Sequence, residues 1–397
     1  MPNVLVINAG SSSIKYQLID PLAEHRLASG VIERIGEDRG ALRHRSGDDE
    51  IERALRIADH RAGFAALTEA FADAGLPLDR LDVAVVGHRV VQGGSEFLAP
   101  TLVDDTVAAR IAALSELAPL HNPGHHQAIV AARAAFPGVP HVAVFDTAFH
   151  QSMPESAYTY AIDTATARAH GVRRYGFHGI SHEVVSRRAA RLLGRPVREL
   201  RQVVLHLGNG ASVCAVDRGR SIDTSMGMTP LEGLVMGTRS GDIDPGALLH
   251  LSRAGIDADA LDELLNKRSG LLGLAGSNDM RDVRAAALGG DPAARLALSV
   301  YVRRIRHYLG AYLLELGGAD AVVFTAGVGE NNAWLRGEVC AELGWFGIEI
   351  DPSRNDDPAD GARIISSDDS RVAVLVVPTD EEAEIARQSW ALVSAPR

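Results

Sequence analysis

The 397-residue chain has only two cysteines and no excess of positive charge. Cys214 and Cys340 lie far apart in apolar surroundings, so we expect two reduced core thiols rather than a disulfide or a metal pair. Lys and Arg total 40 against 51 Asp and Glu, which leaves a net charge of −11 and no basic stripe. This balance argues against nucleic acid as a partner.

The chain also lacks an apolar run of membrane-spanning length, and its N-terminus has no basic segment followed by an apolar one. We therefore expect no membrane association, and a cytoplasmic enzyme is the default expectation. Hydrophobic residues make up 46% and charged residues 23%, which is typical of a globular protein. The length suffices for two or three domains with sizeable cores.

Residues 4–17, VLVINAGSSSIKYQ, predict an apolar strand, a turn rich in glycine and serine, and a returning strand that carries Lys15. Backbone N–H groups and hydroxyls in such a turn can point at one spot that suits a phosphate. The candidate contacts are Asn8, Ser11, Ser13 and Lys15. An ordinary hairpin with a polar turn is the alternative for this stretch alone.

A similar pattern recurs half a chain later in residues 203–216, VVLHLGNGASVCAV. A third glycine turn, residues 326–331, follows an apolar strand at residues 321–325. Two similar hairpins suggest two halves built alike with a nucleotide held between them. The candidate ATP or phosphate contacts in these turns are Gly208, Asn209, Gly210, Gly327, Gly329 and Asn331.

Periodic apolar positions predict further elements of an α/β chain. Helices are expected at residues 181–193, 256–267 and 296–316. Buried strands are expected at residues 81–86, 139–145 and 372–377. Thr379 or Asp380 is expected to cap a last helix.

A series of blocks resembles the acetate kinases, in the same order and from residue 3 to about residue 390. The blocks are INAGSSSIKYQL, GHRVVQGG, APLHNPGH, FDTAFH, YGFHGISH, HLGNGAS, TPLEGLVMGTRSGDIDP, GVGEN and PTDEE. The resemblance implies an α/β fold with two ribonuclease-H-like, actin-like ATPase domains around a nucleotide cleft. The expected domains are residues 1–149 with a returning helix at 382–397, and residues 150–381.

The resemblance also implies roles for two arginines and three histidines. Phosphoryl transfer depends on positioning and on neutralising oxygen charge, and Arg89 and Arg239 are the implied clamps on the acyl substrate and the phosphoryl group. Each is expected in a glycine-containing loop, and a surface ion pair is the alternative for a lone arginine. His178 is expected to hydrogen-bond the phosphoryl group in transit, His206 to bind phosphate, and His121 to be structural or at the cleft edge.

Metal binding is expected at acids from opposite ends of the chain. Asp146 directly follows a predicted strand, and in open α/β sheets ligands bind at the carboxyl ends of the strands. Mg²⁺ binds one or two carboxylates in addition to phosphate oxygens. The resemblance implies that Asp146 is a catalytic aspartate and Glu381 a metal-binding glutamate, and Asp146, Glu381 and Asn8 are the expected site for Mg²⁺ or Mn²⁺, with ATP and ADP as substrates. A helix N-terminal acid is the alternative for Glu381. Asp380 stands where the family has asparagine, which leaves the local hydrogen bonding open.

The acceptor is expected to be a short-chain carboxylate. A carboxylate is already ionised at neutral pH, so it needs charge neutralisation but no base. The methyl pocket implied by the resemblance consists of Val91, Leu120, Phe177 and Pro230. Gln92 replaces an expected histidine beside this pocket.

These features predict an acetate kinase, which transfers the γ-phosphoryl group of ATP reversibly to acetate by direct in-line displacement. A propionate or butyrate kinase is the nearest alternative. A nucleotide-gated, actin-like ATPase is a further alternative, although it needs a partner-binding domain for which the sequence has no spare segment. A homodimer is implied only by the resemblance. The preferred acid and the preferred direction stay open.

Overall fold

The computed structural model describes residues 2–395, which form two compact units. The first comprises residues 2–148 and 380–395, and the second is Phe149–Thr379. These limits lie within two residues of the domain boundaries expected from the sequence. The expected boundaries themselves remain predictions.

The first unit contains eight strands, three helices and a helix from the end of the chain. The strands are β1 Asn3–Ala9, β2 Ser13–Asp20, β3 His25–Glu33, β4 Gly40–Ser46, β5 Asp49–Leu55, β6 Val83–Val90, β7 Thr101–Leu102 and β8 His141–Phe145. The helices are α1 His60–Asp73, α2 Asp105–Ala113 and α3 Asn122–Ala135. The strands form one sheet in the order β5-β4-β3-β2-β1-β6-β8-β7.

The second unit contains six strands and eleven helices in the described chain. The strands are β9 Arg201–Leu207, β10 Ala211–Asp217, β11 Arg220–Thr224, β12 Ala321–Thr325, β13 Arg363–Ile364 and β14 Ala373–Val376. The helices are α4 Glu155–Tyr158, α5 Thr164–Ala169, α6 Gly179–Leu192, α7 Pro245–Arg253, α8 Ala258–Lys267, α9 Gly270–Ala275, α10 Met280–Leu288, α11 Pro292–Glu315, α12 Ala326–Asn331, α13 Ala333–Cys340 and α14 Pro352–Asp356. The sheet order is β11-β10-β9-β12-β14-β13. The last helix of the chain, α15 Glu381–Ser394, belongs to the first unit.

The two sheets follow one plan. In the first, the antiparallel strands β3-β2-β1 are continued by parallel β6 and β8 and by antiparallel β7. In the second, β11-β10-β9 are continued in the same way by β12, β14 and β13. The prediction of two halves built alike, with the α/β architecture of the actin-like ATPases, is confirmed.

Helix α15 closes the first unit by packing on β1 and β6. A Cβ placed on Gly87 would lie 2.6 Å from Ser389 Oγ and 2.9 Å from Ile385 Cγ2, so the helix approaches this closely only over glycine. Of the two predicted caps, Asp380 begins the helix, because its side chain accepts a hydrogen bond from Ala383 N at 3.1 Å.

Several predictions about elements are confirmed. Helices α6, α8 and α11 occupy the predicted segments, and Ile305, Leu309 and Leu313 of α11 are buried on one face as expected. Both cysteines are buried and free. Within the described residues, no helix has the length and apolar character required to cross a membrane.

Two local predictions are wrong. Arg89 lies inside β6 rather than in a loop, because this central strand stays paired with its neighbours, Arg89 itself opposite Val144 of β8. Residues 326–331 form the short helix α12 instead of a glycine turn. Ala326 starts that helix with a φ of 62°, a left-handed conformation that few residues other than glycine adopt.

Candidate active site

The turn between β1 and β2 is fixed by neighbouring elements. Gly10 N donates to Ser13 O at 2.8 Å, and His60 of α1 donates from Nε2 to Gly10 O at 2.9 Å. A Cβ on Gly124, in the first turn of α3, would lie 2.7 Å from Ser11 N, so the helix backbone packs directly against the turn. The predicted phosphate turn therefore has a defined shape before any ligand binds.

Asn8 and Lys15 are cross-strand partners close to the turn of this hairpin. Paired residues project from the same face of a sheet, so both side chains lie on one side. Lys15 is exposed and borders a shallow groove of about 390 Å³ together with Arg26 and Arg43. Within residues 2–395, the side chains of Asn8 and Lys15 make no hydrogen bond and no ion pair.

A buried cluster of one arginine and two acids lies at the carboxyl ends of β6 and β8. Arg89 donates from Nε and Nη2 to the two carboxylate oxygens of Asp146 at 3.1 and 2.7 Å. Glu381 Oε2 lies 3.6 Å from Arg89 Nε. The exposed fraction of the side chain is 1% for Asp146, 14% for Glu381 and 19% for Arg89. One cation therefore faces two carboxylates, and the structure brings together three residues selected from the sequence.

The charges in this cluster are unbalanced. Burial lowers the pKa of Arg89, but Asp146 and Glu381 outweigh that effect and raise it. Burial raises the pKa of Glu381, Arg89 opposes this and Asp146 adds to it. The surplus negative charge suits a divalent cation.

Magnesium fits this donor set in chemical type, because it accepts one or two carboxylates and keeps its remaining positions for water or phosphate oxygens. In the described chain, no group of three or more His, Cys, Asp or Glu side chains forms a metal site. The third predicted ligand, Asn8, makes no hydrogen bond to Asp146 or Glu381 within residues 2–395.

In the second unit, the segment before α6 is held in an unusual conformation. Gly176 has a φ of 75° and donates to Gly227 O at 3.2 Å, and a Cβ there would lie 2.7 Å from the ring of His150. His150 in turn donates from Nε2 to Phe177 O at 2.9 Å. His178 follows as the N-cap of α6 with a φ of 56°, a conformation that costs about 1–3 kcal/mol for a residue other than glycine. Such strain is common at functional sites.

His178 and His206 form a stacked pair of imidazoles. Their ring centroids are 4.1 Å apart and their planes differ by 20°. Each ring is held through Nδ1, His178 by Ser212 Oγ at 2.9 Å and His206 by Ser181 Oγ at 2.8 Å. Because Ser212 pairs with His206 across β9 and β10, one hairpin and the first turn of α6 position both rings.

Arg239 and His178 meet above the second glycine turn. A Cβ on Gly210 would lie 3.5 Å from Arg239 Nη1 and 3.6 Å from His178 Nε2. Arg239 Nη1 donates to Pro230 O at 3.0 Å, and burial lowers the pKa of this arginine. Among the residues that the structure describes, no carboxylate lies within ion-pair distance of Arg239. A half-buried cation without a counter-charge is ready to bind an anion.

A cavity of about 990 Å³ opens beside the same turn, a volume that suits a nucleotide. Its lining includes the predicted residues Gly208, Asn209, Gly327 and Asn331. The residues that sequence reasoning missed come from α9, α10 and α11, and include Leu271, Met280, Arg281, Arg284, Ala285 and Tyr301. The N-cap Asp279 marks the start of α10 in the sequence, but no sequence signal shows that this helix faces a cavity.

Two of the other predicted residues lie outside this cavity lining. Gly329 is buried in α12, where a Cβ would lie 3.6 Å from Leu207 Cβ, and its carbonyl accepts a hydrogen bond from Arg336. His121 is the N-cap residue of α3. Both positions have a structural explanation in packing or in helix initiation.

The predicted methyl-pocket residues are divided between the two units. Val91 is 7% exposed and Leu120 is 50% exposed in the first unit, whereas Phe177 is 1% exposed and Pro230 half-buried in the second. Gln92 is fully buried, and its side-chain oxygen accepts a hydrogen bond from Gly94 N at 2.9 Å. The substitution of the expected histidine thus affects the turn after β6.

Comparison with known proteins places these features in one family. The sequence model of the Acetokinase family matches residues 3–387. An acetate kinase of Clavibacter michiganensis subsp. michiganensis is 63% identical over 98% of this chain and 99% of its own length. An acetate kinase of Leifsonia xyli subsp. xyli is 61% identical over the full length of both chains.

Solved structures give the same result. The acetate kinase of Porphyromonas gingivalis has a TM-score of 0.95 and 40% identity, covering 99% of this chain and 100% of its own. A propionate kinase of Francisella tularensis subsp. tularensis has a TM-score of 0.92 and 39% identity, covering 98% and 99%. With a match of this extent in sequence and in fold, the chain belongs to the acetokinase family.

Proposed function

We propose that this protein catalyses the reversible transfer of the γ-phosphoryl group of ATP to acetate, which yields ADP and acetyl phosphate. The observation that carries the proposal is the uncompensated Arg239 beside His178 above Gly210, next to a cavity of nucleotide size. Full-length relatives named acetate kinase support the choice of acceptor.

The second unit binds the nucleotide in this proposal. The adenosine moiety occupies the cavity lined by α10 and α11, and the phosphates extend toward Gly208 and Gly210. His178 donates a hydrogen bond to the transferring group, His206 binds phosphate, and Arg239 neutralises charge on the equatorial oxygens. Asn209, Gly327 and Asn331 complete the nucleotide contacts.

The first unit supplies the acceptor and metal groups. Arg89 binds the carboxylate of acetate, and Asp146 orients Arg89 through two parallel hydrogen bonds. Asp146 and Glu381, with Asn8, hold Mg²⁺ or Mn²⁺, which supplies charge neutralisation to the phosphate oxygens when bound. The turn residues Ser11 and Ser13, with Lys15, contact phosphate.

The reaction needs no general base. An acetate oxygen forms a bond to the γ-phosphorus while the bond to the bridging oxygen of ADP breaks, and ADP leaves with that electron pair. Because acetate is ionised at neutral pH, no proton moves. Val91, Leu120, Phe177 and Pro230 bound the methyl group.

We also propose that the protein is a cytoplasmic homodimer, as the family resemblance implies. Light scattering of the purified protein measures the number of subunits.

Hydroxamate formation tests the proposal directly. Purified protein with Mg-ATP, hydroxylamine and acetate should form acetyl hydroxamate, and omission of acetate should abolish ADP release. ADP release of equal rate without acetate would instead support an ATPase that switches shape. The Arg239→Ala variant is the control for catalysis by a contaminating kinase.

A propionate kinase is the second candidate, because a protein of that name has the same fold at 39% identity. Measuring kcat/KM for acetate, propionate and butyrate side by side separates the two. The proposal requires acetate to have the highest value.

A further inference from the structure

His178 is linked to a second buried histidine through one serine hydroxyl. Ser212 Oγ lies 2.9 Å from His178 Nδ1 and 2.8 Å from His182 Nε2. Ser212 and His182 are fully buried. A hydroxyl has a single hydrogen, so Ser212 donates to one ring and accepts from the other. The protonation of the two imidazoles is therefore coupled.

The other ring nitrogen of His182, Nδ1, decides which group donates in the two hydrogen bonds to Ser212. His182 Nδ1 has no hydrogen-bond partner within residues 2–395. A hydrogen on Nδ1 would be a buried, unpaired N–H donor, which folded proteins very rarely contain, whereas the neutral ring with its hydrogen on Nε2 leaves only a lone pair unpaired. His182 thus donates from Nε2 to Ser212.

The doubly protonated form of His182 is disfavoured as well. Burial holds the pKa of His182 well below its ordinary value, and His150 and His206, which face it from the 3₁₀ turn Ala148–Ser152 and from β9, lower it further. His150 itself is fixed, because it donates from Nε2 to a carbonyl and receives a hydrogen bond from Ser221 at Nδ1.

Since Ser212 accepts from His182, its own hydrogen is directed to His178 Nδ1. We propose that Ser212 and His182 are positioning residues, which fix His178 as the neutral tautomer with its hydrogen on Nε2. That nitrogen is the one that faces Gly210 and Arg239. In this tautomer Nε2 donates to a phosphoryl oxygen, whereas the other tautomer would direct a lone pair at an anion. The inference rests on the proposed function, in which His178 contacts the transferring group.

The neighbouring histidine, His206, is held by a different pair of hydroxyls. His206 Nδ1 contacts Ser181 Oγ, which also lies 2.8 Å from Thr379 Oγ1. Either hydroxyl can be the donor in that contact, so these two contacts alone do not select a tautomer of His206. For His178, by contrast, the unpaired Nδ1 of His182 sets the direction of the hydrogen bonds and hence the tautomer.

Kinetic tests use one disrupting and one conservative change at each position. Ser212→Ala should lower kcat about 10- to 100-fold, by analogy with the loss of a partner that orients a metal-binding histidine, with little change in KM for either substrate. His182→Gln keeps an amide N–H that can donate to Ser212 and should retain most of kcat, whereas His182→Leu should match Ser212→Ala. Ser186→Ala, which removes a buried α6 hydroxyl that donates to Glu183 O, is the matched control and should leave kcat unchanged.

A double-mutant comparison separates this inference from the proposed function. In a His178→Ala background, Ser212→Ala should cause no further loss of kcat. If His178→Ala alone retained full activity, the role of His178 in the proposed function would be wrong. If His178→Ala were inactive while Ser212→Ala and His182→Leu kept normal kcat, the role of His178 would stand and the positioning role would be overturned.

Nitrogen NMR of ¹⁵N-histidine-labelled wild-type protein reads the tautomers without any activity measurement. Both His178 and His182 should carry hydrogen on Nε2, and Ser212→Ala should convert His178 to a mixture of tautomers. A wild-type His178 with its hydrogen on Nδ1 overturns the inference, even if the variants fail to fold.

Discussion

The two proposed arginine clamps lie in opposite electrostatic environments. Arg89 projects from a central strand and donates to Asp146 from Nε and Nη2, with Glu381 close by. Arg239 lies in a loop, donates to one carbonyl and has no acidic partner among the described residues. Acids raise the pKa of Arg89, and burial lowers that of Arg239.

The difference indicates separate contributions to folding and to binding. The charge of Arg89 is already neutralised in the folded protein, so this residue holds a buried acid in place as well as binding a ligand. The charge of Arg239 is desolvated without compensation, so its stabilising partner is expected to be the ligand. A buried cation without an acidic partner, such as Arg239, binds an anion more strongly, but its burial lowers the stability of the protein.

Arg89→Ala should have the largest effect, because it removes a clamp and a structural partner together. Turnover should fall by roughly 10²-fold or more. The free energy of unfolding should also fall by about 3–5 kcal/mol, since Asp146 would remain buried and unpaired. Urea unfolding of variant and wild type measures this loss. Arg43→Ala, which breaks an exposed pair with Glu33, is the control; an equal loss in both variants would refute the buried-pair explanation.

Arg239→Ala should also lower kcat by roughly 10²-fold or more. Its stability, however, should stay equal to that of wild type or rise slightly, because the substitution removes an uncompensated charge. The same urea titration provides the measurement. A destabilisation as large as that of Arg89→Ala would eliminate the contrast between the two arginines.

Glu381→Gln should raise the Mg²⁺ concentration needed for half-maximal activity by at least about 10-fold, the lower end of the range for altered metal sites. The amide has no negative charge, so a ligand for the hard cation is weakened. Titration of activity with Mg²⁺ at saturating ATP and acetate measures the shift. An unchanged titration would favour the alternative role of Glu381 as an acid at a helix N-terminus.

Val91→Ala should change substrate size preference without affecting Arg89. Val91 follows Arg89 by two residues at the end of β6, and its loss makes room for an additional carbon. The ratio of kcat/KM for propionate over acetate should rise by roughly 5- to 50-fold, mainly through a lower KM for propionate. Both acids are measured at saturating Mg-ATP. If the ratio does not move, Val91 does not bound the acyl group.

A pH dependence of stability is expected in metal-free protein. Because the pKa of Glu381 is raised above its ordinary value of 4.5, the folded state binds this proton more tightly than the unfolded state. The resulting stability is complete below about pH 4.5 and is lost as the pH rises through the folded-state pKa. Over that pH range, wild type should therefore lose about 1.4 kcal/mol of stability relative to Glu381→Gln for each rise of one in pH. Unfolding in EDTA at pH 5 and pH 8 tests the sign.

The sequence predicts the hairpins and the apolar helix faces because these depend on local order of residue types. The β1–β2 and β9–β10 hairpins, and the buried face of α11, follow from alternation and from a 3.6-residue period. Arg89 in a strand was not predicted, since the glycine before it suggested a turn, whereas the strand continues through its pairing with β1 and β8.

The hydrogen bonds that join His178, Ser212 and His182 could not be predicted from the sequence, for a different reason. They join the first turn of α6 to a serine on β10, so they depend on how two elements pack. The predicted start of α6 at residue 181 also left out His178 as its N-cap. With the correct start, the spacing of His178, Ser181 and His182 places all three on one face of the helix.

The packing of α15 over Gly87 has a consequence for biosynthesis. A ribosome completes all eight strands of the first sheet long before it reaches Glu381, and it must make the whole second unit in between. During that time the nascent chain presents β1 and β6 without their covering helix, and Arg89 faces one acid instead of two. Synthesis of the first unit therefore begins first and ends last. During this interval its uncovered apolar surface is exposed, and chaperones can protect the nascent chain from aggregation.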